Sequence, residues 1–599
     1  MLPGKMVPHL ICLTWFDGRG SGIFHWKEVE TWITEKLLTA TNDSPLVFHN
    51  AAFDLAVIGN QFPKLLPEVF KALDRNAIRD TYLRERLLKI AEGTLKLNRY
   101  SLKDLASSYL NKDLDKTTWR MSYGELKDVP LDKWEQGAID YAISDTVCTG
   151  QIYELQQKHD RANEVFLDES NQCRYAFSLF LTSAWGLITD SLRVNALELR
   201  TDEEINSLLT SLTENGLVKP DGTRNNKETE RLVLEANPYA KRTEPTKTYP
   251  YGKVKIDEDS FKDTKNPLLL KLARYRQLQT LLSKDVETLK RGTKEPLHTR
   301  FEPLLETGRT SSSKPNVQNP RREPGVRECY IPRPGNVYVS CDYSSAELIT
   351  LAQTNFSVFG FSSMRDRLIE GKDLLLDFAS QLLGIDYHDA KKKKEAGDDE
   401  ISNARQYAKA AMYGFPGGMG ILKFIQYAKG VGLTLTEDEV RLLKNRWLDS
   451  FPEMQKYFRW INDSIKAKPE IKQLFSNRIR GNVRFTEACN SYFQGLAADG
   501  AKDALYEVVK ASYVDKKSSL YGSRPCNFIH DQIILETKEE NAAEAAKELE
   551  KSMVETFKKW TPDVPVKAEA CISYCWSKDA KPVKNEKGEL IPWKEKESK

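Results

Sequence analysis

The spacing of apolar residues changes period several times along the chain, and each change predicts an element. Near the N-terminus "HLICLTWF" and "GIFHW" are apolar, aromatic runs on either side of the turn-forming "DGRGSG", which predicts two joined strands. "SPLVFHN" predicts a buried strand entering a helix at "AAFDLAVIGNQF". Helical spacing predicts further helices over 80–92, 101–110 and through "LDKWEQGAIDYAISDTVCTGQIYELQQKH". Strands followed by helices over residues 1–155 predict a mixed sheet covered by helices. Helical spacing then dominates to residue 300, in "EVFLDESNQCRYAFSLFLTSAWGL" and in a long basic helix, "NPLLLKLARYRQLQTLLSKDVETLKRG", ending near Gly292. "TGRTSSSKPNVQNPRREPG" holds too many turn formers for a helix, and "NVYVSCDYS" predicts a strand. Helices resume over 345–480, with a basic run at 391–394 that reads as a solvated loop, and a helix near 490–513 precedes the strand-like "NFIHDQIILE". The last twenty residues are charged and read as a frayed tail.

At 599 residues the chain exceeds one compact core, so two or more domains are expected. Its 40% hydrophobic and 29% charged residues are ordinary for a soluble globular protein. No apolar run reaches the roughly eighteen residues of a spanning helix, and "MLPGKMVPHLICLTWF" lacks the form of a secretory signal. Nine cysteines without a CxxC pair or an accompanying histidine cluster argue for reduced thiols rather than a zinc site. The net charge of +3 decides nothing alone. Lys and Arg outnumber Asp and Glu across 219–300, which suits phosphate contact and a solvated helical surface equally.

Two carboxylates break the strand pattern. In "NFIHDQIILE" the apolar run is interrupted by His530, Asp531 and Gln532, and in "YVSCDYSSAEL" a second run closes on Asp342. A lone carboxylate in a buried strand is costly. Two brought together repel unless a cation lies between them, and a pair of divalent ions would satisfy both while leaving open positions for phosphate oxygens. Capping a helix or turn is the other reading, open above all to Asp342 because "SSAEL" follows like a helix start. In "ARQYAKAAMYG" Arg405, Lys409 and Tyr413 recur every four residues, each rotated about 40° from the last. Two cations and an aromatic ring on one stripe suit a triphosphate beside a base; they also suit a basic surface with one tyrosine packed inward.

Taken together, "DYSSAEL", "RQYAKAAMYG" and "HDQ" resemble motifs A, B and C of the family A DNA polymerases, the class of bacterial DNA polymerase I and many phage replicases. "TGRTSSSKPNVQNP" resembles that family's "TGRLSS…PNLQN", and "ACNSYFQGLAAD" its "NxxxQGxAAD" helix. The resemblance implies α/β and α+β domains: an RNase H-like 3′–5′ exonuclease unit over 1–155, then a right-hand polymerase over 156–599. The thumb falls at about 185–300, the palm at about 300–360 and 485–599, and the fingers at about 361–484. It further implies a phage-type replicase that adds dNTPs to a primer on template DNA. A processivity factor, a helicase and a single-strand-binding protein are further candidate partners. A monomer without membrane contact is expected, in the cytoplasm, the bacterial host's if the protein is phage-encoded. A repair or lesion-bypass polymerase and a catalytically inactive DNA-binding relative are the alternatives.

On that resemblance Asp342 and Asp531 would hold two Mg²⁺ ions, with Mn²⁺ as a substitute, and the Tyr343 backbone carbonyl would complete a metal shell. Arg405 and the catalytic Lys409 would neutralise triphosphate oxygens. Tyr413 would lie against the incoming sugar and base, Ser344 would touch the nucleotide, and Glu347 would crowd the 2′ position and so select deoxynucleotides. Arg309, Asn316, Gln318, Asn319 and Gln494 would contact the minor groove near the primer terminus, where acceptors occur at every base pair. His530 would sit by the primer-terminal phosphate. "FHNAAFD" and "YAISD" resemble exonuclease motifs through Asn50, Asp54, Tyr141 and Asp145.

The departures carry expectations of their own. The family's Asp-x-Glu on the first exonuclease strand has no counterpart near the start; either that strand is missing, through a mis-assigned start or a shortened chain, or the exonuclease is naturally inactive. Asp17, in a turn, is a poor substitute. Gly417 stands where the family usually has a tyrosine, and Pro416 should end the helix about a turn early. Leu375 stands where histidine is frequent, at the loss of a triphosphate contact. Gln532 replaces the usual glutamate, keeping size and an acceptor oxygen but no charge. Glu536, four strand residues or roughly 13 Å further along, cannot replace it.

Overall fold

The computed structural model describes residues 6–595 apart from 98, 115–118, 120 and 121. The N-terminal hairpin forms as expected, Cys12–Phe16 antiparallel to Ser21–His25. Leu46–Phe48 pairs in parallel with Ile78–Asp80, a strand that the helical reading of 80–92 hid. Three residues show no period, and Asp80 both ends that strand and caps the helix Thr81–Glu92 by accepting from the Tyr82 N–H. Among the described residues the two pairs stay separate sheets instead of forming one mixed sheet. Helix Gln136–Gln157 packs on both of them.

Helix α1 (Glu169–Trp185) joins this unit to the rest of the chain, packing on helix Ala51–Gln61 and on the long helix described below. The basic helix runs from Pro267 through a π-turn at Leu281–Val286 to Gly292, the predicted end. Leu212, Leu232, Phe261 and Leu272 close a small core of their own beside it.

The second half is built on an antiparallel sheet of β1 (Asn336–Tyr343), β2 (Arg524–Ile529), β3 (Gln532–Lys538) and β4 (Ala568–Ser573), in the order β2-β3-β1-β4. Alternation is strict. Val337, Val339 and Cys341 of β1, with Ile533 and Leu535 of β3, face the main core, whereas Tyr338 and Ile534 face a second one. Burial on both faces explains the near-continuous apolar runs. Helices α2 (Ala346–Phe359), α3 (Asp399–Gly414), α4 (Phe485–Val514) and α5 (Ala542–Lys558) complete this half, and α4 packs against α2 and α5.

Two expectations fail. The basic run at 391–394 lies in helix Tyr387–Glu395, where Lys393 pairs with Glu400 and Lys394 with Asp373; ion pairs to neighbouring elements offset the repulsion that suggested a loop. The tail is not frayed over its described part. Val583–Lys584 pairs with Leu590–Ile591, and the Trp593 N–H donates to the Ile572 carbonyl of β4.

Candidate functional site

Asp531 does not lie inside a strand. β2 and β3 pair Ile529 with Gln532, so His530 and Asp531 form the hairpin's two-residue turn, with His530 at φ 59°. Two polar residues interrupt the apolar run because a tight turn needs residues that tolerate left-handed backbone. Gln532 lies opposite Asp342, so the turn lifts Asp531 just past the sheet beside it. Asp342 does not cap α2: that position belongs to Ser345, at φ 64°. Burial, then the Asp342 and Glu347 carboxylates, push the Asp531 carboxyl up to about 7, and desolvation raises that of Asp342. Two adjoining carboxylates held at the cost of mutual repulsion are donor chemistry suited to a divalent cation, and these residues fit one. Glu569 of β4 faces Asp342 from the other side, giving a cross-strand row of Gln532, Asp342 and Glu569. Among the described residues no group of three or more His, Cys, Asp and Glu side chains is arranged to hold a metal ion.

Helix α3 borders that pair. Burial, then the Glu347 and Asp531 carboxylates, raise the Tyr413 phenol, with Ser345 acting the other way. One and two turns earlier on the same stripe lie exposed Lys409 and half-buried Arg405. Arg405 Nη2 is 3.3 Å from Asp373 Oδ2. Asp373 caps helix Leu374–Leu383, and against its desolvation Arg405 and Lys394 hold its carboxyl below the usual range. Glu347 is ion-paired with Arg309, and burial, then that guanidinium, lower the His530 imidazole. Asp342, Asp531, Glu347, Tyr413, Arg309 and His530 therefore converge from four separate stretches of sequence.

The segment around Arg309 is held from beneath. Gln318 is buried and donates to Thr310 Oγ1 (2.8 Å) and to the Phe528 carbonyl of β2 (3.0 Å). Asn316 and Asn319 are exposed, and Asn316 Oδ1 accepts from the backbone N–H groups of Gln318 and Asn319. Ser344 is exposed, and Gln494 is half-buried on α4. Arg478 escaped sequence reasoning. It is buried between Asp168 (2.8 Å) and Asp499 (2.6 Å), with its guanidinium where a Cβ on Gly308 would fall. Gly308 also stands at φ 86°. The buried-polar context of Arg478 leaves no trace in local sequence.

The departures have physical counterparts. α3 ends at Gly414, and Phe415–Gly417 forms a 3₁₀ turn at Pro416, as predicted. A Cβ on Gly417 would meet the Asn490 carboxamide at 2.6–3.0 Å, so the motif helix α4 fills the space a side chain would need. Tyr427, on helix Ile421–Gly430, packs beside Gly414, its hydroxyl raised by burial and the Glu347 carboxylate. Leu375 is buried.

In the N-terminal unit Asn50 stands at φ 66°, and the N–H groups of Asn50 and Ala51 each donate to Asp80 at 2.9 Å. Burial and Asp80 push the Asp54 carboxyl up to about 7. Asp54 lines a cavity of about 900 Å³ with Cys12 and Tyr123. Tyr123 lies 5.9 Å from Tyr141, and its hydroxyl is raised by burial first, with Asp145 a lesser cause. Strand Cys12–Phe16 supplies no carboxylate, and Asp17 accepts the Arg19 and Gly20 N–H groups of its own turn. Among the described residues, strand Cys12–Phe16 brings no carboxylate to stand with Asp54.

An antiparallel sheet with paired carboxylates at one end, a cationic helix beside them and an α/β unit packed behind is the architecture of a nucleic-acid polymerase. The fold matches the POL domain of Pol1 from M. smegmatis, a complex with DNA primer-template and dNTP, at a TM-score of 0.70 and 18% identity over 95% of this chain and 93% of that one. DNA polymerase I of Aquifex aeolicus (strain VF5) is 26% identical over 91% of this chain and 90% of its own length. The thermostable DNA polymerase I of Thermus aquaticus is 28% identical over 52% of this chain and 36% of its own. The family described as DNA polymerase family A matches residues 229–578, and that of the 3'-5' exonuclease matches 11–159. The chain belongs to DNA polymerase family A, with an N-terminal exonuclease-family unit. Among the described residues no helix is long and apolar enough to cross a membrane.

Proposed function

We propose that this chain is a phage-type replicative DNA polymerase that extends a primer 3′ end on a template by two-metal nucleotidyl transfer. The meeting of Asp342 and Asp531 at one end of the sheet carries this reading. Bound Mg²⁺ there would lower the pKa of the primer hydroxyl and stabilise the departing pyrophosphate. The rest is done by the chain. Arg405 and Lys409 would meet the triphosphate as charge develops, Arg405 exchanging Asp373 for phosphate oxygens. Tyr413 would place its ring against the incoming sugar and base, near Ser344. Glu347, anchored by Arg309, would close the 2′ side. Gln318 would act from below by holding the segment that offers Asn316 and Asn319 to the minor groove, together with Gln494; His530 would face the primer phosphate. In this reading the sheet and α4 are the palm (300–360 and 485–599), residues 361–484 the fingers and 185–300 the thumb.

Asp342→Ala or Asp531→Ala should abolish primer extension while primer–template binding persists; near-normal rates in either variant would overturn the assignment. We read the N-terminal unit as a poor nuclease, because strand Cys12–Phe16 supplies no carboxylate. Robust Mg²⁺-dependent loss of 3′ nucleotides from single-stranded DNA would refute this.

A further inference from the structure

The loop between helices Asn226–Ala236 and Glu258–Thr264 takes no part in the site described above. Residues 237–256 carry five cations, Lys241, Arg242, Lys247, Lys253 and Lys255, against the single carboxylate of Glu244, a net of +4 in a chain that totals +3. The loop is folded back on itself. Arg242 bridges Val254, the Thr243 N–H donates to the Lys253 carbonyl, and the Lys255 N–H donates to that of Lys241. Buried Val254 roots both arms in the small core of Leu232, Phe261 and Leu272. From that root two rings stand in solvent, Tyr239 at 94% and Tyr251 at 86% exposure. Tyr249 is occupied, with Lys253 Nζ 4.1 Å from its ring centroid.

Cations that follow phosphates, interleaved with open aromatic faces, make a stacking platform for unpaired bases. Duplex contact would call on the cations alone, since paired bases already stack on one another. We propose that this rooted hairpin binds single-stranded DNA, with Tyr239 and Tyr251 stacking on unpaired bases and the cations of 237–256 contacting the phosphates. The surface goes beyond the polymerase reading, which places this region in the thumb and asks of it no contact with unpaired bases.

The test compares a labelled oligothymidylate with a blunt duplex of equal length by fluorescence anisotropy, using the full chain without metal or dNTP. The double variant Tyr239→Ala/Tyr251→Ala should lose roughly tenfold in oligothymidylate affinity. Duplex affinity, resting on phosphate contacts, should stay within about twofold. Tyr239→Phe/Tyr251→Phe should bind like the parent, and an unchanged melting temperature confirms that the alanine variant is folded. Unaltered oligothymidylate binding by the alanine variant overturns the proposal; so does an equal loss on both DNAs. Failure of the unmodified chain to extend a primer would sink the polymerase reading and leave this binding result standing.

Discussion

Asp531 holds its proton in the metal-free fold at a pH where an unfolded chain has lost it, because its carboxyl is pushed up to about 7. The sign follows from linkage. A raised carboxyl contributes stability that is fully present below its unfolded pKa, about 4, and is lost as pH rises toward the folded value. The chain treated with chelator should therefore lose stability between about pH 4 and 7, and Asp531→Asn should remove that part of the loss. At pH 8 the metal-free variant should melt on the order of 2 °C above the parent, measured by a pH series of thermal melts. A difference that does not vary with pH would show that the raised Asp531 carboxyl is not its source. The meeting of Asp342 and Asp531 was legible in the sequence, because two carboxylates stand out against buried strands. Asp80 and Arg478 were not, because their importance lies in what they face: two backbone N–H groups in one case and two buried carboxylates in the other.

Elements were legible in proportion to their length. The 30-residue α4 and the basic helix ending at Gly292 declare their period, whereas the strand Ile78–Asp80 is too short to have one. The hairpin at His530 and Asp531 was hidden for another reason: its turn lacks the Asn-Gly or Asp-Gly signature, and its two strands read as one interrupted run. The loop bearing Arg309 shows how a long-range partner fixes an element's shape. Gly308→Ala would place a methyl group against the Arg478 guanidinium and impose a side chain on left-handed backbone. It should cost about 1–3 kcal/mol in urea unfolding, and it should weaken primer extension by displacing Arg309 from Glu347. An unaltered unfolding midpoint would mean that Arg478 yields freely, at odds with its two ion pairs.

At the scale of the molecule, the two units recognisable in the sequence share their largest core. One core runs from Val29, Leu55 and Phe70 through Phe177 of α1 to Leu505, Ile533 and Ile572. Polar ties cross the same boundary: Tyr506 Oη donates to Asp74 (2.7 Å), and Arg86 Nε to the Leu304 carbonyl (3.0 Å). Composition and length suggest separable domains, and only contacts distant in sequence reveal the fusion. A chain lacking residues 1–155 should expose the Phe177 face of α1 and aggregate, and the intact chain should give a calorimetric trace without a separate N-terminal transition. A soluble, active truncation would count against the shared interior. Phe70 and Asp74 brace α4, the helix that carries the ACNSYFQGLAAD motif, through Tyr506, so loss of the N-terminal body would unsettle the polymerase half itself. The nuclease-shaped body thus serves the polymerase as a scaffold whether or not a 3′ end is ever cut beside Asp54.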